Sequence, residues 1–137
     1  MAYTSAMMDQ MLVFDRSQVR RNRDRAAPGY AAHDFLKREV RERVFDRMGD
    51  IQRQFPRLLD LGSHSGLSRQ ELDPKLGVEW LVSLDPSERF AGLASSSGPA
   101  LVAEEELLPF APASFDAIVS TLSLHWVNDL PGALVQA

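Results

Sequence analysis

The sequence has 137 residues, of which 45% are hydrophobic, and its formal net charge is −4. These values are typical of one globular domain, and no apolar run reaches the roughly 20 residues that span a bilayer. The first ten residues lack the layout of a secretory signal, so the sequence predicts a cytoplasmic protein without a membrane span. The chain has no cysteine, and its three histidines lie far apart in sequence, so neither disulfides nor a metal site are predicted.

Charge is distributed unevenly along the chain. Residues 1–57 carry 12 Lys and Arg against 8 Asp and Glu, whereas residues 58–137 carry 3 against 11. The basic part contains an arginine cluster at residues 20–25, but acids are interspersed and the pI is about 5.3. These features argue against nucleic-acid binding. A solvated helix, or a helix that faces a protein partner, is the favoured interpretation of the cluster.

The first 56 residues are predicted to form an N-terminal arm and, from Asp34 onward, a helix. Residues 1–10 are expected to be a frayed end. Asp34 is a predicted N-cap, and an amphipathic helix follows it. The apolar stripe of this helix recurs every four positions and is expected to dock on the rest of the chain: Leu36, Val40, Val44 and Met48.

An apolar run that stops at an acid and two glycines follows this helix. Residues 57–61 predict a buried strand, Gly62 and Gly66 a tight turn, and residues 67–72 a short helix. Free N–H groups at the start of such a helix can hold the polar end of a cofactor. A side chain at Gly62 is expected to stand between the backbone and the cofactor. An ordinary strand-to-helix turn without a ligand is the alternative.

Three more apolar segments predict strands, at residues 80–84, 100–103 and 115–122. Strands that are apolar throughout and alternate with helices predict an α/β domain with a doubly wound parallel sheet. Asp85 ends the second strand, where nucleotide-binding α/β folds place a carboxylate on the ribose hydroxyls. The alternative, which can coexist with that role, is that Asp85 caps the next helix. Phe110, Phe115 and Trp126 are interpreted as core residues.

Residues 57–137 resemble the class I S-adenosylmethionine-dependent methyltransferases. The resemblance rests on Leu-Asp-Leu-Gly at residues 59–62, on Asp85, and on an acid, Leu-Pro-Phe and Phe-Asp pattern at residues 104–116. It implies a Rossmann-like sheet and S-adenosylmethionine as cofactor, with Glu104 approaching the adenine amino group. The cofactor-binding residues that it implies are Asp60, Gly62, Ser63, His64, Gly66, Asp85, Pro86, Glu104, Glu105 and Ser120.

A narrower resemblance includes the arm. Phe-Asp-Arg at residues 14–16, the arginine cluster and Leu-His-Trp at residues 124–126 are similar to mitochondrial complex I assembly factors that hydroxylate an arginine, and to their bacterial relatives. The malonyl-carrier-protein methyltransferases share the Leu-Pro-Phe and Leu-His-Trp stretches. They are not expected to share the arginine-rich arm.

Two departures from the methyltransferase pattern bear on function. His64 stands where the family usually has a glycine, so the turn must accommodate a side chain. The family also continues through further strands, so the chain is expected to be a fragment, truncated after the fourth strand. A domain boundary is predicted between residues 56 and 57.

The sequence keeps two classes of function open. The first is an enzyme that transfers a methyl group to an unidentified small-molecule or protein acceptor, or a hydroxylase if the narrower resemblance holds. The second is a non-catalytic assembly or interaction protein whose arm docks on a partner. Methyl transfer can proceed by positioning alone, so no catalytic residue is obligatory. His125 is a weak candidate for a general base, and packing beside Trp126 is the favoured interpretation.

Overall fold

The computed structural model describes residues 12–137, so the predicted frayed end lies outside the described residues. Within this range no helix is long and apolar enough to cross a membrane. The α-helices are α1 (Arg16–Ala26), α2 (Phe35–Gly49), α3 (Glu88–Ala94) and α4 (Leu130–Gln136). The strands are β1 (Arg57–Leu61), β2 (Trp80–Asp85), β3 (Ala100–Val102) and β4 (Ala117–Ser120). Short 3₁₀ turns lie at Ala27–Ala32, Arg69–Glu71, Pro74–Leu76 and Leu124–Trp126.

The four strands form one sheet in the order β3-β2-β1-β4, and every neighbouring pair is parallel. The chain therefore moves outward from β1 to β2 and β3, then returns to the other side of β1 to form β4. The strand order reverses between β1 and β4, and in open α/β sheets the crevice at the carboxyl ends of such strands binds ligands. The predicted Rossmann-like α/β fold is confirmed.

The sheet separates two apolar clusters, because successive residues of a buried strand point to opposite faces. Leu58 of β1 belongs to one cluster, on which Val44, Phe45 and Met48 of α2 pack. Leu59 belongs to the other. Phe110 and Phe115 pack against this second cluster, with ring centroids 4.8 Å apart, as expected of core residues. Trp126 is 44% exposed, so its assignment to the core is wrong.

The helix predicted at residues 67–72 is absent. Only a 3₁₀ turn forms there, at Arg69–Glu71. Pro74 disfavours helical backbone in the residue before it, and the few residues left after Gly66 cannot offset the cost of helix nucleation. The fourth strand is also shorter than predicted, since Leu122 turns away with a positive φ of 53°.

Two predicted helix caps differ from the structure. Asp34 precedes α2, but its side chain makes no capping hydrogen bond and pairs with Arg38 at 3.4 Å. Ser87, not Asp85, caps α3, because the Ser87 hydroxyl accepts a hydrogen bond from the backbone N–H of Phe90 at 3.1 Å. The Asp85 carboxylate is thus free of the capping role.

Helix α2 buries a different face from the predicted one. Leu36 is 55% exposed, whereas Lys37 is only 5% exposed. The period of an α-helix is 3.6 residues, so the face defined by Met48 and Val44 leads back to Arg41 and Lys37. A strict four-residue spacing drifts around the helix. The predicted stripe therefore leaves the buried face at its amino-terminal end.

Candidate functional site

Three carboxylates gather at the carboxyl edge of the sheet. Asp60 lies near the end of β1, Asp85 ends β2, and Glu105 follows β3. Their exposed fractions are 1%, 0% and 0%. Buried carboxylates are costly unless they are paired, so each needs a nearby donor or cation. The sequence predicted all three as site residues, and the fold brings them to one edge.

Asp85 is held by backbone and by the arm. Its Oδ1 accepts a hydrogen bond from the N–H of Ser87 at 2.8 Å, and its Oδ2 accepts one from the N–H of His64 at 2.9 Å. The guanidinium of Arg23 in α1 donates to the same Oδ2 at 3.1 Å. Burial raises the pKa of Asp85, and these three donors act in the opposite direction. Pro86, between Asp85 and Ser87, is buried as well.

Glu105 shares Arg23 with Asp85. Its Oε1 lies 3.0 Å from Nη1 of Arg23 and accepts a hydrogen bond from the Ser123 hydroxyl at 2.6 Å. Arg23 Nη2 also donates to Ser123 Oγ at 2.8 Å. Burial acts to raise the pKa of Glu105, but Arg23, Ser123 and Arg16 together hold it below its usual value. The sequence indicated no role for Arg23 or Ser123 in the site.

Glu104 lies nearer the surface and faces the arm. Its carboxylate accepts hydrogen bonds from Arg16 Nη2 and from Arg20 Nη2, both at 2.9 Å. Arg16 also pairs with Glu105. Contact between Glu104 and adenine remains a prediction, and of these two neighbouring acids it is Glu105 that is fully buried.

The arm itself folds back over the acids. Helix α1 buries Arg23 to 7% exposure and directs Arg16 at the acids that follow β3. Arg21 and Arg25 point outward and remain exposed. The interpretation of the whole cluster as a solvated or partner-facing helix is therefore wrong for the residues that contact the domain.

The glycine turn differs from the predicted anion cradle. The N–H groups of Gly62 and Ser63 donate to the carbonyl of Leu84 at 2.8 and 2.9 Å, and that of His64 is taken by Asp85. Since no helix follows either, the prediction of free N–H groups at a helix N-terminus is wrong. Gly66 has a φ of 72°, and a Cβ there would lie 2.8 Å from Ala94 Cβ.

Gly62 is constrained by the chain's own packing. Its φ is 68°, and a Cβ would collide with the Ser123 side chain and lie 3.0 Å from Glu105 Oε1. A side chain there would first meet the protein's own Ser123, and the expectation that it would stand between backbone and cofactor stays a prediction. His64, which also has a positive φ, 51°, accommodates its side chain by turning it toward aromatic neighbours.

The junction of β1 and β4 contains polar groups without partners. Among the described residues, neither carboxylate oxygen of Asp60 has a hydrogen-bond partner, and the same holds for the hydroxyls of Ser120 and Thr121. Lys37 enters this region from α2. Burial lowers the pKa of Lys37 to about 8, although Asp60 acts to raise it, and burial raises the pKa of Asp60.

Aromatic rings form one wall of the site. The ring of His64 stacks on Tyr30 at 5.3 Å and meets Phe90 edge-on at 5.0 Å. Burial, with Lys37 and Arg23 nearby, lowers the pKa of His64 to about 3, so this imidazole is neutral at physiological pH. A cavity of about 220 Å³ lies against these rings. Its remaining lining residues are Val19, Asn22, Arg23, Ala26 and Trp126.

His125 is exposed and lies beside Trp126, with ring centroids 5.1 Å apart. Within residues 12–137 its ring makes no hydrogen bond to another residue. The favoured interpretation, packing beside Trp126, agrees with this arrangement, and a role as general base remains a prediction.

Comparison with known proteins places these features in a family. A family model described as a methyltransferase domain matches residues 59–137. Arginine-hydroxylase NDUFAF5 of Danio rerio is 42% identical over 131 residues, which cover 92% of this chain and 40% of that protein. A malonyl-[acyl-carrier protein] O-methyltransferase of Gallionella capsiferriformans is 33% identical over 136 residues, covering 90% of this chain and 47% of that protein.

A solved protein, bound to the Haloferax volcanii Trm112 methyltransferase activator, shares the fold with a TM-score of 0.71. It is 20% identical, and the match covers 83% of this chain and 53% of that one. The chain spans less than half the length of the two curated relatives. Because the family model matches more than half of the sequence, the chain belongs to the methyltransferase domain family, in which S-adenosylmethionine is the methyl donor.

Proposed function

We propose that this chain is the cofactor-binding part of an S-adenosylmethionine-dependent methyltransferase whose acceptor is a small molecule or a protein. The observation that carries the proposal is the set of buried carboxylates at the carboxyl edge of the sheet: Asp60, Asp85 and Glu105. Their position next to the point where strand order reverses is the usual ligand position in this class of fold. When bound, the cofactor supplies the methyl group.

The chemistry of these residues fits the cofactor. S-adenosylmethionine presents a ribose diol, an adenine amino group, an ammonium and a sulfonium, and all of these are satisfied by hydrogen-bond acceptors or negative charge. Asp85 would accept from the ribose hydroxyls. Asp60, whose carboxylate has no hydrogen-bond partner within residues 12–137, would supply a second acceptor beside the glycine turn. Arg23 covers Asp85, so we infer that Arg23 shifts when the ribose binds.

Replacing Asp85 with Asn tests this assignment. The change removes a charged acceptor, so binding of S-adenosylmethionine is expected to weaken by about 1–3 kcal/mol in free energy. Isothermal titration calorimetry measures this difference. Asp116→Asn is a matched control, because Asp116 pairs with Arg57 at the amino end of β1, away from the predicted site. We expect this control to leave the affinity unchanged.

Circular dichroism establishes that both variants are folded before the titration. Equal affinities of folded Asp85→Asn and wild type would remove Asp85 from the ribose assignment. Failure of the wild type to bind S-adenosylmethionine, in this chain and in a longer version of the protein, would overturn the proposed function as a whole.

Arginine hydroxylation, in a protein that assists respiratory complex I assembly, is a second candidate. The observation that favours it is the 42% identity to the Danio rerio arginine-hydroxylase over a match that includes most of the arm. Mass spectrometry of an arginine-containing acceptor incubated with the full-length protein distinguishes the two activities. Gain of one methyl group supports the methyltransferase, and gain of one oxygen supports the hydroxylase.

A non-catalytic role through a protein partner is the remaining alternative. The solved relative in complex with an activator protein shows this kind of partnership for that protein. The outward-facing Arg21 and Arg25 are the residues of the arm that we propose for such a contact. Cofactor binding without any modification of acceptors would favour this role. The cytoplasmic location and the domain boundary after residue 56 stay predictions.

A further inference from the structure

A buried lysine spans the crevice at the point where strand order reverses. Lys37 of α2 is 5% exposed, and its ammonium donates to the carbonyl of Gly62 at 2.8 Å and to that of Thr121 at 2.6 Å. Gly62 follows β1 directly and Thr121 follows β4 directly. One side chain from outside the sheet therefore joins the carboxyl ends of the two strands that border the crevice.

The same helix face makes a second contact with the glycine turn. Arg41, one turn after Lys37, donates to the carbonyl of Gly66 at 3.3 Å. The two glycines that define the turn thus each have their carbonyl bound by a cation from α2. The carboxyl-terminal part of α2 is anchored by apolar packing of Val44 and Met48 on the core. Lys37 and Arg41 therefore belong to a helix that is docked on the sheet.

The charge of Lys37 has a specific neighbour. Asp60 is buried without a hydrogen-bond partner among the described residues, and of the neighbouring charges it does most to keep the pKa of Lys37 from falling further. Burying an isolated carboxylate or ammonium is costly, and opposite charges in a poorly solvated region offset much of that cost. Lys37 is thus a hydrogen-bonded bridge, and its charge acts on Asp60 at longer range, since no hydrogen bond joins the two side chains.

We propose that Lys37 is a positioning residue of the cofactor site, which fixes the glycine turn against the end of β4, and whose charge offsets that of Asp60, so that the crevice keeps the shape that binds S-adenosylmethionine. This inference rests on the proposed function for the identity of the cofactor. It adds a residue of α2 to a site otherwise built from strand ends, the glycine turn, the arm and the aromatic wall. The bridge and the charge of Lys37 are separable by mutation.

The experiment compares Lys37→Met, Asp60→Asn and the double variant. Lys37→Met keeps the length of the side chain but removes the charge and the donors, so both stability toward urea and cofactor affinity are expected to fall. In the double variant Asp60 no longer needs a counter-ion, so stability is expected to recover toward that of Asp60→Asn. The double variant still lacks the bridge, so its affinity for S-adenosylmethionine should remain about tenfold or more below that of Asp60→Asn.

Amide hydrogen exchange supplies a measurement that needs no ligand. The N–H groups of Gly62 and Ser63, which donate to Leu84, should exchange faster in the double variant than in Asp60→Asn at matched global stability. Arg38→Met is the control on the same helix, because the Arg38 side chain is 65% exposed and pairs with Asp34, away from the glycine turn. It should change neither the affinity nor the exchange.

Two results would overturn the positioning role. The first is a double variant that binds S-adenosylmethionine as tightly as Asp60→Asn. The second is unchanged exchange at Gly62 and Ser63 in the double variant. If wild type binds no cofactor, the proposed function fails, and the exchange comparison by itself decides whether Lys37 fixes the turn.

Discussion

Arg23 is the cation that holds Asp85 and Glu105 together. Both carboxylates are fully buried and lie within 3.1 Å of the same guanidinium nitrogen. Removing one partner of a buried ionic cluster leaves the others uncompensated, which typically costs about 3–5 kcal/mol. We therefore expect Arg23→Gln to lower the free energy of unfolding, measured by urea denaturation, by roughly that amount.

Arg25→Gln is the matched control for Arg23→Gln, since Arg25 lies on the same helix, is exposed, and its side chain hydrogen-bonds Asn22 of that helix. Exposed substitutions of this kind usually stay within about 0.5 kcal/mol of wild type. If Arg23→Gln fails to fold, adding Glu105→Gln should restore folding by removing one uncompensated charge. Equal urea midpoints for the two single variants would show that Arg23 is not an essential counter-ion.

Gly62 is restricted by backbone conformation and by space. With a φ of 68°, alanine there would carry the cost of the left-handed conformation, about 1–2 kcal/mol, and its Cβ would also collide with Ser123. Gly62→Ala should therefore destabilise the protein by at least that amount in urea denaturation.

Gly92 in α3 offers the opposite case to Gly62. A Cβ at Gly92 would meet nothing within 4 Å, and the residue lies inside a helix. Alanine is favoured over glycine at such a position, so Gly92→Ala should stabilise the protein by about 0.4–1 kcal/mol. A Gly62→Ala variant that is as stable as Gly92→Ala would contradict the packing that we describe around Ser123.

At the scale of elements, the sheet was predictable because its signals are local. The apolar strands β1 and β2, and the acid at or next to the carboxyl end of each, can be recognised without knowing what packs nearby. The parallel arrangement follows from the alternation of strands with helices. Family resemblance added the acids after β3, and the fold placed Glu105 at the same edge as Asp85.

The contribution of the arm to the site was not predictable in the same way. An arginine at position 23 has the same local signature as the exposed Arg21 and Arg25, and only the tertiary contact with Asp85 distinguishes it. Lys37 left a clearer signal, because the face of α2 defined by Val44 and Met48 passes through it. The predicted stripe missed Lys37 because a strict four-residue spacing from Met48 leads to Leu36, whereas the helical period of 3.6 residues leads to Lys37.

For the whole molecule, several buried titratable groups make stability depend on pH. On the acid side their effects have opposite signs. Burial lowers the pKa of His64 to about 3 from 6.5, so stability rises with pH between these values. Burial raises the pKa of Asp60 and of Asp85, so stability falls as pH increases through their folded pKa values. The stability measured in acid therefore combines the opposing effects of His64 and of the two aspartates.

Between about pH 8 and pH 10, Lys37 is the group of residues 12–137 whose shifted pKa makes stability depend on pH. The pKa of Lys37 is about 8 in the folded protein and 10.5 in the unfolded chain. Burial lowers the folded-state pKa, and the nearby Arg41 and Arg23 lower it further. The carboxylates of Asp60 and Asp85 act to raise it. Between these values the unfolded chain binds more protons than the folded protein, so stability rises with pH. Above about pH 10 Tyr30 reverses the trend, because its pKa is raised from 10.0 to about 12 in the folded state.

We therefore expect the urea midpoint of the wild type to increase from about pH 8 to about pH 10. Lys37→Met has no ammonium to deprotonate in this interval, so its midpoint should stay flat while Arg38→Met follows the wild type. The comparison is made within each variant across pH, which removes the difference in their absolute stabilities. An equal rise in Lys37→Met and wild type would assign the pH dependence to another group and would show that the Lys37 ammonium is not buried as the structure describes.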